Sequence, residues 1–279
     1  MGAGTTFLPF RGFRTWYGVV GDREEPGRLP LVVLHGGPGS AHDALEGLAA
    51  LSAQGRRVVF YDQLGSGESD RPDDPALWTV ETFVDQLRSV REGLGLEAIH
   101  LFGTSWGGML ALEYAFTQPA GLASLVLNST PTSTPRWVEE TARLAAGLDE
   151  REFWSRHICR LDPEPEVLQR ARTKFGKQVY ETMWGPNEFT ATGKLKDWDV
   201  IGRLGEIRVP TLLTSGRYDE CTPKLVEPLH EGIAGSEWVL FEDSAHMPYL
   251  EEPERYLQVV GAFLERVEAR PEAGLRAPS

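Results

Sequence analysis

The sequence predicts an α/β fold: a doubly wound, mostly parallel sheet with helices on both faces and a helical segment inserted between two of its strands. Two observations carry this. Short apolar runs of strand length, at residues 31–35, 57–61, 98–104, 122–128, 210–215 and 237–241, alternate with longer stretches of helical character. The run at 31–34 is apolar at every position, the pattern of a strand covered on both faces. The rhythm then breaks at Pro131 and resumes at Pro210. Between these points the pattern turns helical and aromatic, with Trp137, Phe153, Trp154, Phe175, Tyr180, Trp184 and Phe189. The expected division is a core of residues 1–130 and 201–279 carrying a helical cap of residues 131–200.

Taken in order, residues 5–20 mix apolar, aromatic and glycine positions and fit a hairpin of short strands, followed by a charged turn at 22–30. Strand 31–35 runs into His35-Gly36-Gly37-Pro38-Gly39, which suits neither helix nor strand. A helix is expected from Ser40 or His42 to about Gln54, then a strand to Tyr61 and a glycine-rich loop, Asp62-Gln63-Leu64-Gly65-Ser66-Gly67-Glu68-Ser69. Thr79 is placed to cap a helix reaching Gly93. The strand at 98–104 leads to a helix ending near Thr117, and 122–128 closes the first half. After the insertion, strand 210–215, helix 223–233, strand 237–241 and one helix over 251–267 complete the core, with 270–279 as a frayed tail.

Composition narrows the function. Hydrophobic residues at 41% and charged residues at 25% are ordinary for a globular chain with a large core. A net charge of −13 speaks against nucleic acid and anionic membranes as partners, since both recruit basic patches. Two cysteines, Cys159 and Cys221, imply no disulfide framework. The first residues lack the basic stretch and apolar core of a signal peptide. No apolar run approaches the roughly 18 residues of a membrane span. A cytoplasmic protein is the expectation.

Gly103-Thr104-Ser105-Trp106-Gly107, between a strand and a helix, matches the G-x-S-x-G nucleophile elbow. A serine at the tip of such a turn adopts a strained backbone, and its neighbours have no room for a Cβ. The turn lifts Oγ above the sheet, and the helix N-terminus beneath favours developing negative charge. Ser105 is therefore the candidate nucleophile. The acid and base of such sites follow in the order Asp or Glu, then His. Asp219 follows the 210–215 strand and His246 follows the 237–241 strand, so all three belong at carboxyl ends of strands, where sites in open α/β sheets lie. His246 would move the proton and Asp219 would orient the imidazole. The other histidines fit less well: His100 falls inside a strand, and His42, His157 and His230 fall in expected helices. For the oxyanion, the N–H of Trp106 is one candidate donor and the glycine loop supplies the other. Pro38 has no N–H, which leaves Gly37, with Gly36 as the alternative. No G-x-x-x-x-G-K-[ST] loop and no His or Cys cluster of ligand spacing appears, so neither a phosphate cradle, a metal nor a cofactor is expected.

With these motifs in place the chain resembles the prolyl iminopeptidase family of α/β-hydrolases. The resemblance rests on His35-Gly36-Gly37-Pro38-Gly39, Asp62-Gln63-Leu64-Gly65-Ser66-Gly67, Gly103-Thr104-Ser105-Trp106-Gly107-Gly108 and Ser215-Gly216-Arg217-Tyr218-Asp219-Glu220-Cys221-Thr222-Pro223. Gly185-Pro186-Asn187-Glu188-Phe189-Thr190 and Lys196-Asp197-Trp198-Asp199 look like the branch holding the tricorn-interacting aminopeptidase and amino-acid amidases. The resemblance implies that two glutamates hold the free amino terminus of the substrate; by motif these are Glu188 and Glu220. Proline-specific members carry Ser-Trp-Gly-Ser where this chain has Gly108, a departure that points away from strict proline preference.

The reading that results is a serine aminopeptidase releasing N-terminal residues from short peptides or amino-acid amides through an acyl-enzyme. An amino-acid amidase, a carboxylesterase or a lactonase would use the same triad, and esterases would need no substrate amine. A non-catalytic binding protein of the same fold would need no nucleophile at all. The cap aromatics, notably Trp137, Trp154, Phe175 and Trp184, are expected partly to wall a small closed pocket, with about one or two of the seven lining it and the rest forming the core of the cap.

Overall fold

The computed structural model describes residues 6–270. The expected tail beyond Arg270 lies outside the described residues, as does Thr5 at the start of the hairpin. Eight strands form one sheet: β1 (Thr6–Phe10), β2 (Phe13–Val20), β3 (Leu31–Leu34), β4 (Val58–Tyr61), β5 (Ile99–Thr104), β6 (Leu122–Asn128), β7 (Thr211–Gly216) and β8 (Glu237–Phe241). Their spatial order is β1-β2-β4-β3-β5-β6-β7-β8. The β1–β2 hairpin lies antiparallel on one edge, and the six strands from β3 onward run parallel.

Strand alternation explains why both faces are covered. Val32, Leu34, Val59, Tyr61 and Leu101 point into one apolar cluster, and Leu31, Val33, Val58, Phe60 and Phe102 into another. The first cluster includes residues of α1 (Val80–Gly93) and α2 (Trp106–Phe116). Thr79 caps α1 as expected, its hydroxyl accepting from the Thr82 amide at 3.2 Å. The segment between β6 and β7 carries α3 (Thr134–Ala145), α4 (Glu150–Phe153), α5 (Glu166–Thr173) and α6 (Lys177–Met183). Then come α7 (Pro223–Gly232), α8 (Pro248–Glu251) and α9 (Pro253–Glu268). The second cluster is closed by α9 and by a 3-10 helix at His42–Gln54.

One expectation is refined and one changes. The helical stretch expected after the glycine loop is present and winds as a 3-10 helix. The last helix is two helices, because Pro253 has no N–H to donate and pushes Glu252 out of the helical region, to φ −130°, ψ 55°.

The long helix α9 is pinned to the sheet by a buried ionic cluster. Glu268 accepts from Arg56 at 2.7 Å, Arg28 at 2.9 Å and the Leu29 amide at 2.9 Å, and pairs with His100 Nε2 at 3.2 Å. Burial raises the Glu268 carboxyl, but the bonds from His100, Leu29 and Arg28 and the Arg56 charge outweigh it and bring its pKa to about 2. A carboxyl depressed in the folded state adds stability above its ordinary value, and this is lost as pH falls toward 2. Glu268→Gln leaves the fully buried Arg56 without its counter-charge. The expected cost at pH 7 is about 3 kcal/mol or more, shrinking in acid, as urea unfolding at pH 7 and pH 3 would measure.

Candidate active site

Strand order decides where the site forms. The chain leaves β3 outward to β4, then crosses back to β5 on the other side of β3, so the loops after β3 and β5 diverge and open a crevice at their carboxyl ends. Ser105 sits there, between β5 and α2, with φ 53° and ψ −122°. That left-handed backbone is held because β5 and α2 meet too closely to relax: a Cβ on Gly103 would lie 2.2 Å from the Gly107 carbonyl oxygen. Gly108 answers to the same crowding, since a Cβ there would lie 1.9 Å from Thr130 Oγ1. The departure at Gly108 is thus matched by the Thr130 side chain filling the space.

The loops after β7 and β8 bring Asp219 and His246 together. His246 Nδ1 donates to Asp219 Oδ1 at 2.7 Å, and the Cys221 amide donates to the same oxygen at 2.8 Å. Asp219 and His246 are both buried. The His246 carbonyl is held from behind by Ser129 Oγ at 3.1 Å and Asn128 Nδ2 at 3.3 Å. Burial alone would lower the imidazole pKa, but the Asp219 charge and hydrogen bond outweigh it, so His246 titrates above its ordinary value. Ser105 and His246 border one cavity of about 300 Å³. No hydrogen bond joins their side chains among the described residues, which suits a nucleophile–base contact that tightens on substrate.

Gly36 and Gly37 line the same cavity beside Ser105. The Gly37 N–H has no partner among the described residues. Trp106 opens α2, so its N–H has no carbonyl a turn behind it. Gly37 faces the cavity directly, and Trp106 follows the cavity-lining Ser105 without lining it itself.

Glu188 and Glu220 also reach this cavity. Glu220 is 3% exposed, its Oε1 lies 3.8 Å from His246 Nε2, and its Oε2 has no partner. Burial, with the nearby charges of Glu188 and Asp219, pushes its pKa well up. Glu188 is raised by burial too, and is steadied by the Tyr180 hydroxyl, which donates to its Oε1 at 2.7 Å. Tyr180, not singled out for the site from sequence, lines the cavity. Its only signal was its place in the aromatic insertion.

Three of the seven cap aromatics, Trp154, Phe175 and Tyr180, line the cavity, one more than the upper expectation. Trp154 and Phe175 line the cavity, but Trp137 and Trp184 do not. Their indole N–H groups hold the backbone of the Glu188 loop, Trp137 at the Glu188 carbonyl (3.3 Å) and Trp184 at the Asn187 carbonyl (3.1 Å). The two rings meet edge to face, and Trp137 also packs against the His246 ring, 6.2 Å between centroids. They shape the site from behind.

His42, Asp43 and Glu46 bring three ligand-type atoms within 4.8 Å of one another. Side-chain cations already face the two carboxylates, Lys174 and Arg170 at Asp43 (3.0 and 3.3 Å) and Arg170 at Glu46 (2.5 Å). His42 Nδ1 is bonded to Asp62 at 3.0 Å. The cluster reads as an ionic tie between α5 and the 3-10 helix. Among the described residues, no helix is long and apolar enough to cross a membrane.

Comparison with known proteins agrees with this geometry. Residues 30–253 match the family model of the alpha/beta hydrolase fold. A proline iminopeptidase of Lactobacillus crispatus (strain ST1) is 41% identical, covering 93% of this chain and 97% of the relative. One from Clostridium botulinum is 38% identical over the same shares. The crystal structure of a proline iminopeptidase from Mycobacterium smegmatis superposes with a TM-score of 0.90 at 36% identity, over 95% of this chain and 99% of the other. The elbow, the Asp–His pair and the two carboxylates thus sit in a chain that belongs to the proline iminopeptidase family of α/β-hydrolases.

Proposed function

We propose that this enzyme is a serine aminopeptidase that releases the N-terminal residue, proline among them, from short peptides or amino-acid amides. Ser105 attacks the first carbonyl while His246 accepts its proton, and Asp219 stabilises the imidazolium that forms. The N–H groups of Gly37 and Trp106 receive the oxyanion. His246 returns the proton to the leaving amine, then activates water to release the acyl group. Residues 131–200 act as a cap on a core of residues 1–130 and 201–279, and no cofactor takes part.

One observation carries the substrate assignment: Glu188 and Glu220 border the cavity that holds Ser105, and Glu220 is buried with an oxygen unpartnered. Two carboxylates brought close in a buried place repel and call for a cation between them. A substrate α-ammonium supplies it, whereas an acyl chain would leave the Glu220 oxygen unpartnered.

Glu188→Gln and Glu220→Gln should each lower kcat/KM on aminoacyl amides by about ten- to a hundredfold, the worth of one charged hydrogen bond at about 1.5–3 kcal/mol. Hydrolysis of p-nitrophenyl esters should survive. Acetylating the substrate amine should reproduce the loss in the wild type. Equal turnover of free and acetylated substrates would leave an esterase.

The pH profile adds a second check. Because the Glu220 carboxyl is raised, it is still partly protonated where an ordinary glutamate is ionised, and it then cannot hold a cation. The acid limb of kcat/KM should be steeper for aminoacyl amides, which need both Glu220 and His246 deprotonated, than for esters, whose limb reports His246 alone. Superimposed limbs would count against the pair.

A further inference from the structure

The two N–H groups assigned to the oxyanion come from separate segments, the loop after β3 and the first turn of α2. Such donors work together only if held to about 0.5 Å. Gln63, in the loop after β4, reaches both. Its side-chain oxygen accepts from the Trp106 indole N–H at 2.7 Å, and its side-chain N–H donates to the His35 carbonyl at 2.9 Å. Its backbone N–H donates to His35 Nε2, also at 2.9 Å.

Chemistry fixes the direction of every bond. An indole nitrogen only donates and a backbone carbonyl only accepts, so the Gln63 amide has one usable orientation. With Nε2 accepting from Gln63, the His35 proton sits on Nδ1, which donates to the Gly36 carbonyl at 3.0 Å. Burial lowers the His35 pKa, consistent with this neutral ring. The Gly36 carbonyl shares a rigid peptide plane with the Gly37 N–H, so holding one aims the other. Gln63, His35 and Trp106 are each 1% exposed, which shields these bonds from competing water.

We propose that Gln63 is a positioning residue that sets the two oxyanion donors against each other: through His35 and Gly36 it aims the Gly37 N–H, and through the indole it anchors the start of α2. The proposal rests on the oxyanion assignment above. It is independent of the glutamate pair, so ester hydrolysis tests it even if the aminopeptidase reading fails. Its nearest relatives do not fit: asparagine is one carbon too short, and an ionised glutamate has no proton for the His35 carbonyl.

The test measures Gln63→Met, Trp106→Phe and the double variant on a p-nitrophenyl ester and on an aminoacyl amide. Each single variant should lower kcat on both substrates by about ten- to a hundredfold, with KM within about twofold, because only the transition state carries the oxyanion. Affinity for a boronic acid that mimics the tetrahedral intermediate should fall in parallel. The double variant should be no slower than Gln63→Met, since both changes break one linkage. If Gln63→Met does not fold, Trp106→Phe, which keeps a ring against Phe83, still reads the indole link. Unchanged kcat in a folded variant, a loss confined to KM, or additive losses in the double variant would overturn the proposal.

Discussion

Ser105→Ala is expected to lower kcat by about 10⁶ while leaving the fold intact. The size follows from the role proposed for Ser105: without Oγ no acyl-enzyme forms there, which leaves the weak catalysis that binding and the oxyanion donors give on their own. The fold should tolerate the change because Ser105 Oγ makes no hydrogen bond among the described residues, so no native bond is lost. The strained backbone is imposed by the packing of β5 against α2 and stays with alanine in place. Denaturant unfolding should therefore match the wild type, and active-site titration with a p-nitrophenyl ester should show no burst. Turnover near the wild-type rate from a pure sample would remove Ser105 from the mechanism.

Asp219→Asn is expected to cost about 10⁴ in kcat. An asparagine keeps the shape but removes the charge, and its amide can present an N–H where the His246 Nδ1 proton needs an acceptor. The ring is then no longer held in the tautomer that leaves Nε2 free for Ser105. Loss of the charge also has a sign. Burial pulls the imidazole down and Asp219 pulls it up, so without the carboxylate His246 should titrate lower. The residual activity should accordingly have its acid limb displaced to lower pH. Asp243, on the exposed turn before His246, is the control: Asp243→Asn should be nearly neutral. Damage from Asp243→Asn with Asp219→Asn harmless would reverse the assignment.

Much of the fold was legible because its strands are dense apolar runs bounded by turn residues. The runs at Leu122–Asn128 and Glu237–Phe241 match β6 and β8 at both ends. The grouping of Ser105, Asp219 and His246 was legible for a related reason: each stands just past the end of a parallel strand, so order along the chain converts to proximity. Other features depended on contacts that spacing does not encode. A 3-10 helix and an α-helix differ too little in period to separate over His42–Gln54. Trp137 and Trp184 look like Trp154 and Phe175 in sequence, and their N–H bonds to the 187–188 backbone and their edge-to-face packing behind the cavity appear only in the fold. Pro253 was visible, yet the continuous apolar pattern on either side masked the break it forces. Gln63 was quoted only as part of a glycine-rich motif; its reach to both His35 and Trp106 needed the fold.

The insertion between β6 and β7 closes on itself at one place, where Ser133 pairs with Asp199 past the carboxyl end of β6. The chain then runs back to the amino end of β7, which pairs with β6 directly in parallel register. The sheet is therefore continuous whatever the intervening length. Ser105, Asp219, His246 and Gly37, in loops, and Trp106, at the start of α2, all lie outside the insertion, whereas Glu188, Tyr180, Trp154 and Phe175 belong to it. The proposed bond-breaking machinery and half of the proposed amine-selecting pair are thus carried by different stretches of one gene. A lineage can rewrite the second by insertion, deletion or exchange at a single seam while the first is inherited unchanged, and an engineer can cut at the same seam.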